Sequence, residues 1–435
     1  MTIHVVQQGE TLSSIAGLYQ VSEERLVIEN GITNPNNLVI GQTIAIIQPS
    51  VSYTIREGDT LMGIAKRYQV SVMQLLRNNP YLSDREYIFP GETIVISYET
   101  NQKQTIAVSG YAYPFIRRDV LRKTLPFLTY LTVFNYRITE TGDLEDINDQ
   151  EIIDIAKSYG VAPIMLVSTQ SQLGVGNLET AKLLLNNPEL QERSIDNMIE
   201  VLKRKGYYGL NQYFQFYSID AQDLYVEYIE RLSNKVRSEG YHLSVTVTLR
   251  QINTDKGIAY EKIDYSRLLP YVDGLSFLTY NWGLNYGPPV CATPVNLLRE
   301  AMEHIITTIP PERIRLGLPV IGYNYPLPYI PGYTFANAIT SEAAIDIAVE
   351  QGVSIEYNVI AEAAYFYYFV DEQSMHNVWF KDGRSIDALL GFVPEFGISG
   401  GSIWNIMYFF EQLWSILNYK YEIQKIQDLN DPLDK

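Results

Sequence analysis

A segment near the middle of the chain combines amide and aromatic side chains without a single carboxylate. Residues 205–219 contain Asn211, Tyr213 and Gln215 but neither Asp nor Glu. An amide donates and accepts hydrogen bonds but cannot transfer a proton, so none of these amides can serve as a general acid. Aromatic faces pack against sugar rings and amides bond their hydroxyl groups. The segment can therefore hold a ligand through hydrogen bonds and ring contacts, but it supplies no general acid.

Similar side chains recur later in the chain, in the run Leu278-Thr279-Tyr280-Asn281-Trp282-Gly283 and in Gly400-Gly401-Ser402-Ile403-Trp404. If the fold brings these runs beside the first segment, they form one aromatic cleft with amides at its edge. Such a cleft would contain Tyr213, Gln215, Tyr280, Asn281, Trp282 and Trp404.

Alternating strands and helices predict the scaffold that positions these residues. From about residue 105, strand patterns alternate with helical ones, which favours a parallel sheet with helical crossovers. Eight strands are predicted, at 105–110, 127–136, 161–168, 207–216, 242–249, 274–280, 314–323 and 400–405. Eight such units close into an α/β (β/α)8 TIM barrel, here over residues 105–428, whose working residues lie at the carboxyl ends of the strands. The carboxylate-free segment is strand four.

The seventh unit of this barrel is too long for one strand and one helix. Residues 324–380 contain two further strand-like runs, SIEYN and AYFYYFV. We therefore predict a small α+β insertion after strand seven, at the top of the barrel.

An internal repeat occupies the first hundred residues. Gly9-Glu10-Thr11-Leu12 recurs as Gly58-Asp59-Thr60-Leu61, and Tyr19-Gln20-Val21-Ser22 recurs as Tyr68-Gln69-Val70-Ser71. Each copy predicts a strand, a turn that caps a helix, a second helix and a closing strand. The repeat indicates two βααβ modules, at residues 2–48 and 51–98.

These modules resemble LysM modules, which bind N-acetylglucosamine-containing chains such as peptidoglycan or chitin in a groove beside the first turn. The resemblance implies these groove residues: Gly9, Glu10, Thr11, Asn30 and Ile32 in the first module, and Gly58, Asp59, Thr60, Asn79 and Tyr81 in the second. Two modules on one chain gain avidity for a repetitive polymer. The alternative is that the threonines only cap helices and the glycines only turn the chain.

The barrel resembles glycoside hydrolase family 18, and the whole chain is similar to bacterial spore cortex-lytic enzymes that carry two LysM modules. That family has an Asp-x-x-Asp-x-Asp-x-Glu series on strand four, and its final Glu protonates the leaving oxygen. Here the four positions are neutral: Tyr208, Asn211, Tyr213 and Gln215. The Asp that often follows the strand-six Tyr is Asn281. Because general acid catalysis contributes about 10²–10⁴-fold, the resemblance implies no useful turnover by this mechanism. It implies instead a sugar-binding cleft, formed by Tyr213, Gln215, Tyr280, Asn281, Trp282 and Trp404, at positions where the family stacks sugars.

Two alternatives concern this degenerate site. Tyr208 and Tyr213 could fill the pocket that the missing acids leave and so close the cleft. Another carboxylate could also take over as the acid; the residues considered are Asp220, Asp223, Glu356, Glu362 and Asp371. The first two fall where the start of a solvated helix favours acidic residues in any case.

Composition excludes several other classes of protein. A net charge of −17 disfavours nucleic acid and anionic lipid as partners, and no apolar run is long enough to span a membrane. One cysteine, Cys291, and four scattered histidines predict neither a disulfide framework nor a metal site, and we expect no cofactor. The start MTIHVVQQGETL has no signal-peptide pattern, which predicts synthesis in the cytoplasm.

Three functions are compatible with these observations. The leading hypothesis is a non-catalytic binder of peptidoglycan or a chitin-like N-acetylglucosamine polymer, deposited on the spore cortex, coat or surface. The second is an active cortex-lytic N-acetylglucosaminidase. The third is a tyrosine-rich structural component, with 34 tyrosines, that associates with itself or with other spore-coat proteins.

Overall fold

The computed structural model describes residues 1–98, 103–170, 177–213, 221–248, 251–254, 257–260, 263–279, 285–371 and 374–426. Among these residues, no helix has both the length and the apolar character needed to cross a membrane.

Each half of the repeat folds as one βααβ module, as predicted. The first module consists of β1 (Thr2–Val5), α1 (Leu12–Tyr19), α2 (Glu23–Asn30) and β2 (Thr43–Ile46). The second consists of β3 (Pro49–Thr54), α3 (Leu61–Tyr68), α4 (Val72–Asn78) and β4 (Thr93–Tyr98). In each module the two strands pair antiparallel. Thr11 and Thr60 cap α1 and α3 by accepting hydrogen bonds from backbone N–H groups in the first turn.

Eight parallel strands close the barrel, which confirms the predicted fold. They are β5 (Gln104–Ala112), β6 (Tyr130–Arg137), β7 (Ala162–Ser168), β8 (Gly209–Gln212), β9 (His242–Thr248), β12 (Gly274–Leu278), β13 (Ile314–Pro319) and β19 (Gly400–Trp404). The pairing of β19 with β5 closes the ring. A hairpin of β10 (Gln251–Thr254) and β11 (Gly257–Tyr260) follows β9.

Helices cover the outside of the barrel strands. They are α5 (Arg118–Thr124), α6 (Gln150–Ser158), α7 (Leu178–Asn186), α8 (Pro188–Lys205), α9 (Gln222–Ser238), α10 (Val295–Ile305), α12 (Gly383–Phe396) and α13 (Glu411–Lys420). Their apolar faces and the second module contribute to one continuous hydrophobic core. A short strand, β20 (Tyr421–Ile423), then pairs with the start of β5.

The insertion after β13 is larger than its two predicted strands. It contains β14 (Gly322–Leu327), β15 (Asn337–Ile339), α11 (Ser341–Gln351), β16 (Glu356–Asn358), β17 (Ala363–Phe369) and β18 (Met375–Phe380). The strands form an antiparallel sheet in the order β15-β14-β18-β17-β16, and α11 packs on one face of it. The predicted strand at 314–323 is therefore two strands, because the chain leaves the barrel at Pro319 and enters the second sheet at Gly322.

One barrel helix, α13, binds both N-terminal modules through buried amides. The Gln412 side chain donates to the carbonyl oxygen of Thr43 at 2.6 Å and accepts from its hydroxyl at 3.1 Å. Two turns later, Asn418 donates to the side-chain oxygen of Asn78 in the second module at 2.8 Å. Because buried amides need fixed partners, these bonds set the register of both modules on the barrel.

The first module also contacts the insertion. The backbone N–H of Ile355 donates to the Ile40 carbonyl oxygen at 2.8 Å, and Arg384 donates to the Gly41 carbonyl oxygen at 3.2 Å. The Thr33 hydroxyl donates to Asp346 on α11 at 3.1 Å. The modules are thus docked on the barrel, so their orientation relative to its mouth is set by packing.

Candidate functional site

A neutral hydrogen-bond network lies inside the barrel where the family resemblance would place carboxylates. Asn211, on β8, is 2% exposed. Its amide nitrogen donates to Ser244 Oγ at 2.8 Å, and its oxygen accepts from Thr246 Oγ1 at 2.7 Å. The Thr246 hydroxyl is in turn 3.0 Å from the hydroxyl of Tyr111. Every named member of this network is an amide or a hydroxyl, so the network orients groups without supplying an acid.

An aromatic floor lies at the carboxyl ends of the strands, above this network. Buried Tyr111 and Phe134 pack with the partly buried rings of Tyr113, Tyr213 and Trp404. The Trp404 ring centroid lies 5.0 Å from that of Phe134 and 5.5 Å from that of Tyr111. Tyr213 and Trp404, two of the predicted cleft residues, are therefore brought together and remain partly accessible.

The floor extends outward along the end of the first barrel strand. Tyr113 packs edge-on against Phe134 at 5.0 Å and stacks on Phe115 at 5.1 Å with an interplanar angle of 25°. Burial raises the pKa of the Tyr113 hydroxyl. Phe115 is 75% exposed although its ring is held by this stack. A flat, preoriented and solvent-facing ring is suited to packing on a sugar.

Tyr208 lies at the opposite end of the barrel from this floor, so the expectation that it fills the cleft is wrong. It precedes β8, and its ring lies near Tyr130 and His242, with centroid distances of 6.4 Å and 5.9 Å. These residues plug the amino end of the barrel together with Ala162 and Ile164. Five residues of extended chain, about 16 Å, separate the positions of Tyr208 and Tyr213. Only Tyr213 of this pair reaches the mouth.

Four predicted cleft residues, Gln215, Tyr280, Asn281 and Trp282, lie outside the described residues, as does Asp220.

Three of the four alternative acids that the structure describes have other partners. Asp223 forms a 2.6 Å ion pair with Arg267, and its side chain is 76% exposed. Glu356 accepts a hydrogen bond from the Tyr365 hydroxyl at 2.5 Å. Asp371 accepts from the backbone N–H and the hydroxyl of Ser374, bracing a hairpin. Glu362 adopts a left-handed conformation, with φ of 47°, just before β17. None of the described contacts links these four carboxylates to Asn211 or Trp404.

The predicted groove residues of the modules brace the turn after the first strand. Gly9 and Gly58 have φ of 82° and 83°, which favours glycine, and an added Cβ at either would meet nothing within 4 Å. The Gln7 N–H and the His4 side chain hydrogen bond to the Glu10 carboxylate and hold its pKa below the usual range. The Tyr53 hydroxyl and the Arg56 N–H lower the pKa of Asp59 in the same way. The turns are therefore rigid and open to solvent.

Asn30 and Asn79 have structural roles that account fully for their recurrence in the repeat. The Asn30 amide donates to the Ala45 carbonyl oxygen at 3.0 Å and accepts from the Ala45 N–H at 2.6 Å. Asn79 makes the same pair of bonds with Val95, both at 2.8 Å. Each amide joins a helix to the closing strand and faces the module interior. Ile32 is likewise buried in the core of its module, whereas Asn30 is only partly buried. The contacts of these three residues therefore stabilise the modules, and their part in a groove stays a prediction.

Exposed aromatic residues beside the second turn escaped the sequence prediction. Tyr87 is 66% exposed and Phe89 is 56% exposed. The Gly91 N–H donates to the Ile55 carbonyl oxygen at 2.9 Å, which places this loop alongside the start of the Gly58 turn. The predicted groove residue Tyr81 is half-buried and stacks under the Arg85 guanidinium, 5.2 Å from its ring centroid. The second groove therefore has an aromatic rim.

Comparison with protein families places the chain. The model of the LysM domain matches residues 4–46 and 53–97, and that of glycosyl hydrolases family 18 matches residues 165–408. The chain belongs to glycosyl hydrolase family 18. Its two N-terminal modules are LysM domains.

The similarity to known family 18 proteins extends over the whole chain. A protein of Bacillus subtilis named cortical fragment-lytic enzyme is 30% identical over 431 residues, which is 98% of this chain and 99% of the relative. A putative sporulation-specific glycosylase of the same species, YdhD, is 26% identical and covers 98% of this chain and 100% of its own. The crystal structure of the Bacillus cereus spore cortex-lytic enzyme SleL matches with a TM-score of 0.79 and 27% identity, over 98% of this chain and 99% of that one.

Within this family 18 barrel, sequence reasoning missed the residues that complete the site. Ser244 and Thr246 hold Asn211, and Tyr111, Tyr113 and Phe115 extend the floor. A signal for the last three was available, because aromatic residues at every second position continue past the end of β5. No comparable pattern marks the two hydroxyls.

Proposed function

We propose that this chain binds peptidoglycan or another N-acetylglucosamine-containing glycan without cleaving it, as a spore-associated protein. Membership of family 18 and the two LysM domains support a sugar polymer as the ligand. The aromatic floor of the barrel and the aromatic rim of the second module supply flat surfaces for sugar rings.

The observation that carries the non-catalytic part is the bonding of Asn211. Its amide donates to one hydroxyl partner and accepts from another inside the barrel, at 2.8 Å and 2.7 Å. A carboxylate at this position would accept from both hydroxyls and could orient an acetamido group through its charge. The amide has no such charge, and residues 205–219 contain no Asp or Glu to compensate.

The names of two relatives support the spore as the place where this chain acts. The names of the cortical fragment-lytic enzyme and the spore cortex-lytic enzyme SleL refer to cortex or spore, and both resemble this chain from end to end. We infer that this chain acts on the same structure.

Two measurements on one preparation test the proposal. The full chain is incubated with purified cortex sacculi and with soluble chito-oligosaccharides. Retention on the sacculi, binding of the oligosaccharides and newly formed reducing ends are recorded. The proposal expects retention without reducing ends. A chain that binds neither material would refute the binding function. Release of reducing ends would refute the proposal that the chain does not cleave the glycan.

A second candidate function, hydrolysis of cortex fragments, is favoured by the 30% identity to the cortical fragment-lytic enzyme. If the chain cleaves glycan, Gln215→Ala separates the possible mechanisms. Unchanged cleavage in that variant would show that the strand-four position is not involved and that another group supplies the proton. The reciprocal double variant, Gln215→Glu with Tyr213→Asp, tests whether restoring two carboxylates creates activity in an inactive chain.

A further inference from the structure

The far end of the insertion sheet exposes an unusual number of large apolar side chains. Five of them, each at least half exposed, form a surface that we call the insertion tip: Ile330 50%, Tyr333 84%, Phe335 56%, Phe369 63% and Val370 60%. Soluble monomers rarely expose a contiguous apolar patch larger than a few hundred Å². Such a surface indicates an interaction site.

The register of the sheet brings these residues to the same end. Leu327 of β14, Met375 of β18 and Phe369 of β17 lie opposite one another. The loop of residues 328–336 continues from Leu327, and Val370 directly follows Phe369. The two halves of the insertion tip are therefore neighbours in space, although they are far apart in the sequence.

The loop that carries the tip is held by specific bonds, so its exposed side chains are presented on a defined backbone. The Ile330 N–H donates to Thr334 Oγ1 at 2.8 Å, and the Tyr333 N–H donates to the Ile330 carbonyl oxygen at 3.0 Å. The Ala336 N–H donates to the Asn285 carbonyl oxygen at 2.6 Å. Exposed apolar side chains on an ordered backbone lose little conformational entropy when a binding partner covers them.

Among the described strands, β15 is the outer strand of the insertion sheet, and it directly follows the loop that carries the tip. β15 pairs only with β14 among the described strands, and Asn337 and Ala338 on it are exposed. Proteins usually protect such an edge by keeping the strand very short, as β15 is with three residues, or with a charged residue, a proline or a covering element. β15 has neither a charge nor a proline, and its polar backbone groups can pair with another strand.

Charge decides which partner fits this surface. Residues 322–340, which contain β15 and three of the five tip residues, have no charged residue in a chain whose net charge is −17. In the other half of the tip, the exposed Asp371 follows Val370. Two copies of so acidic a chain repel each other over most of their surfaces, but not where both present this uncharged segment. A strand edge is also self-complementary, since two identical edges pair antiparallel about a twofold axis.

We propose that the insertion tip and the β15 edge form a dimer interface with a second copy of this chain. The two β15 strands pair antiparallel, and the tip of each copy covers the other. A standard protein–protein interface buries about 800 Å² of each partner. Five large exposed side chains and a strand edge can supply an area of that size. This inference is independent of whether the barrel cleaves or only binds glycan.

Analytical ultracentrifugation of the full chain over a range of concentrations tests the proposal. We expect a reversible species of twice the 49.7 kDa chain mass as the concentration rises. Tyr333→Glu with Phe335→Glu places charges in the tip and should weaken association at least tenfold, and Phe369→Glu should do the same from the other side of the tip. Leu18→Glu is the matched control, because Leu18 is 63% exposed on the first module, and it should leave association unchanged.

Three results would overturn the dimer. One is a chain that stays monomeric at all concentrations, and another is a dimer that persists in both folded tip variants. The third is loss of retention on sacculi in the tip variants without any change in mass, because the surface would then be a glycan contact. Thermal melts by circular dichroism, unchanged from the natural chain, exclude misfolding of the variants.

Discussion

The side-chain oxygen of Asn211 accepts a hydrogen bond from Thr246 Oγ1 at 2.7 Å inside a barrel whose relatives are named as lytic enzymes. Together with the bond from the Asn211 nitrogen to Ser244, it fixes the orientation of the amide inside the barrel. The barrel interior is thus built around a neutral residue, and the stability of the chain should depend on it.

Replacing Asn211 with leucine should lower the free energy of unfolding by about 1–3 kcal/mol, because two buried hydroxyl groups lose a partner. Urea denaturation measures the change. Asn36→Leu, at an exposed position in the first module, is the control and should have almost no effect. Equal stability of the two variants would show that the network contributes nothing.

Phe115 is expected to contribute to sugar binding without contributing to the fold. Its ring stacks on Tyr113 but is 75% exposed, so Phe115→Ala should weaken binding of chito-oligosaccharides roughly fivefold, equivalent to about 1 kcal/mol. Isothermal titration calorimetry gives the affinity. Phe115→Trp should restore it, and Leu183→Ala, at an exposed site on α7, should not change it. Unaltered affinity in Phe115→Ala would remove this ring from the site.

The exposed rim of the second LysM domain should dominate retention on intact sacculi. Tyr87→Ala with Phe89→Ala removes both exposed rings, and we expect retention to fall roughly tenfold because two stacking surfaces are lost. A sedimentation assay with purified sacculi measures it. The matched substitution Leu18→Ala, on α1 of the first module, should retain full binding. Full binding by the double variant would place the main contact elsewhere.

A buried carboxyl at the joint between the first module and the barrel should make stability depend on pH. Burial, together with the nearby carboxylate of Glu342, raises the pKa of Glu411 from its ordinary 4.5 to about 7. The native state therefore holds this proton more tightly than the unfolded chain does. Its stabilising contribution is complete below about pH 4.5 and is lost as the pH rises through about 7.

Glu411→Gln keeps the side-chain shape and removes the titration. We expect it to flatten this part of the stability profile and to raise the free energy of unfolding at pH 8 by on the order of 1–3 kcal/mol. Urea denaturation between pH 4.5 and 8 measures both effects. Glu239→Gln, exposed at the end of α9, is the control. Parallel profiles for the natural chain and Glu411→Gln would contradict the account.

The architecture could be predicted because its signals are local and repeated. Alternating strand and helix patterns mark the eight barrel strands, and the repeat marks both modules. The insertion was underestimated because β15 and β16 have three residues each, too few to show a period. The docking of the modules was not predictable, since Gln412 and Thr43 are 369 residues apart and neither has a sequence signature.

The sequence predicted the positions of some site residues correctly and of others wrongly. Tyr213 and Trp404 meet at the mouth, as their places at strand ends imply. Tyr208 does not lie at the mouth. The family signature on strand four does not say which of its positions lie at the amino end of the short strand and which lie at the carboxyl end. Asn30 and Asn79 recur for structural reasons, since a repeat preserves what holds each module together as readily as what binds a ligand.

The most direct test of the central claim is the release of reducing ends from purified spore cortex fragments by the full natural chain, measured over hours beside an active cortex-lytic enzyme. The account predicts that the chain sediments with the fragments while the reducing-end signal stays at the level of a protein-free control. The contrary result is a reducing-end signal that rises with time and with protein concentration. If that signal also disappears when one carboxylate at the barrel mouth is changed to its amide, the chain cleaves glycan and the non-catalytic function is contradicted.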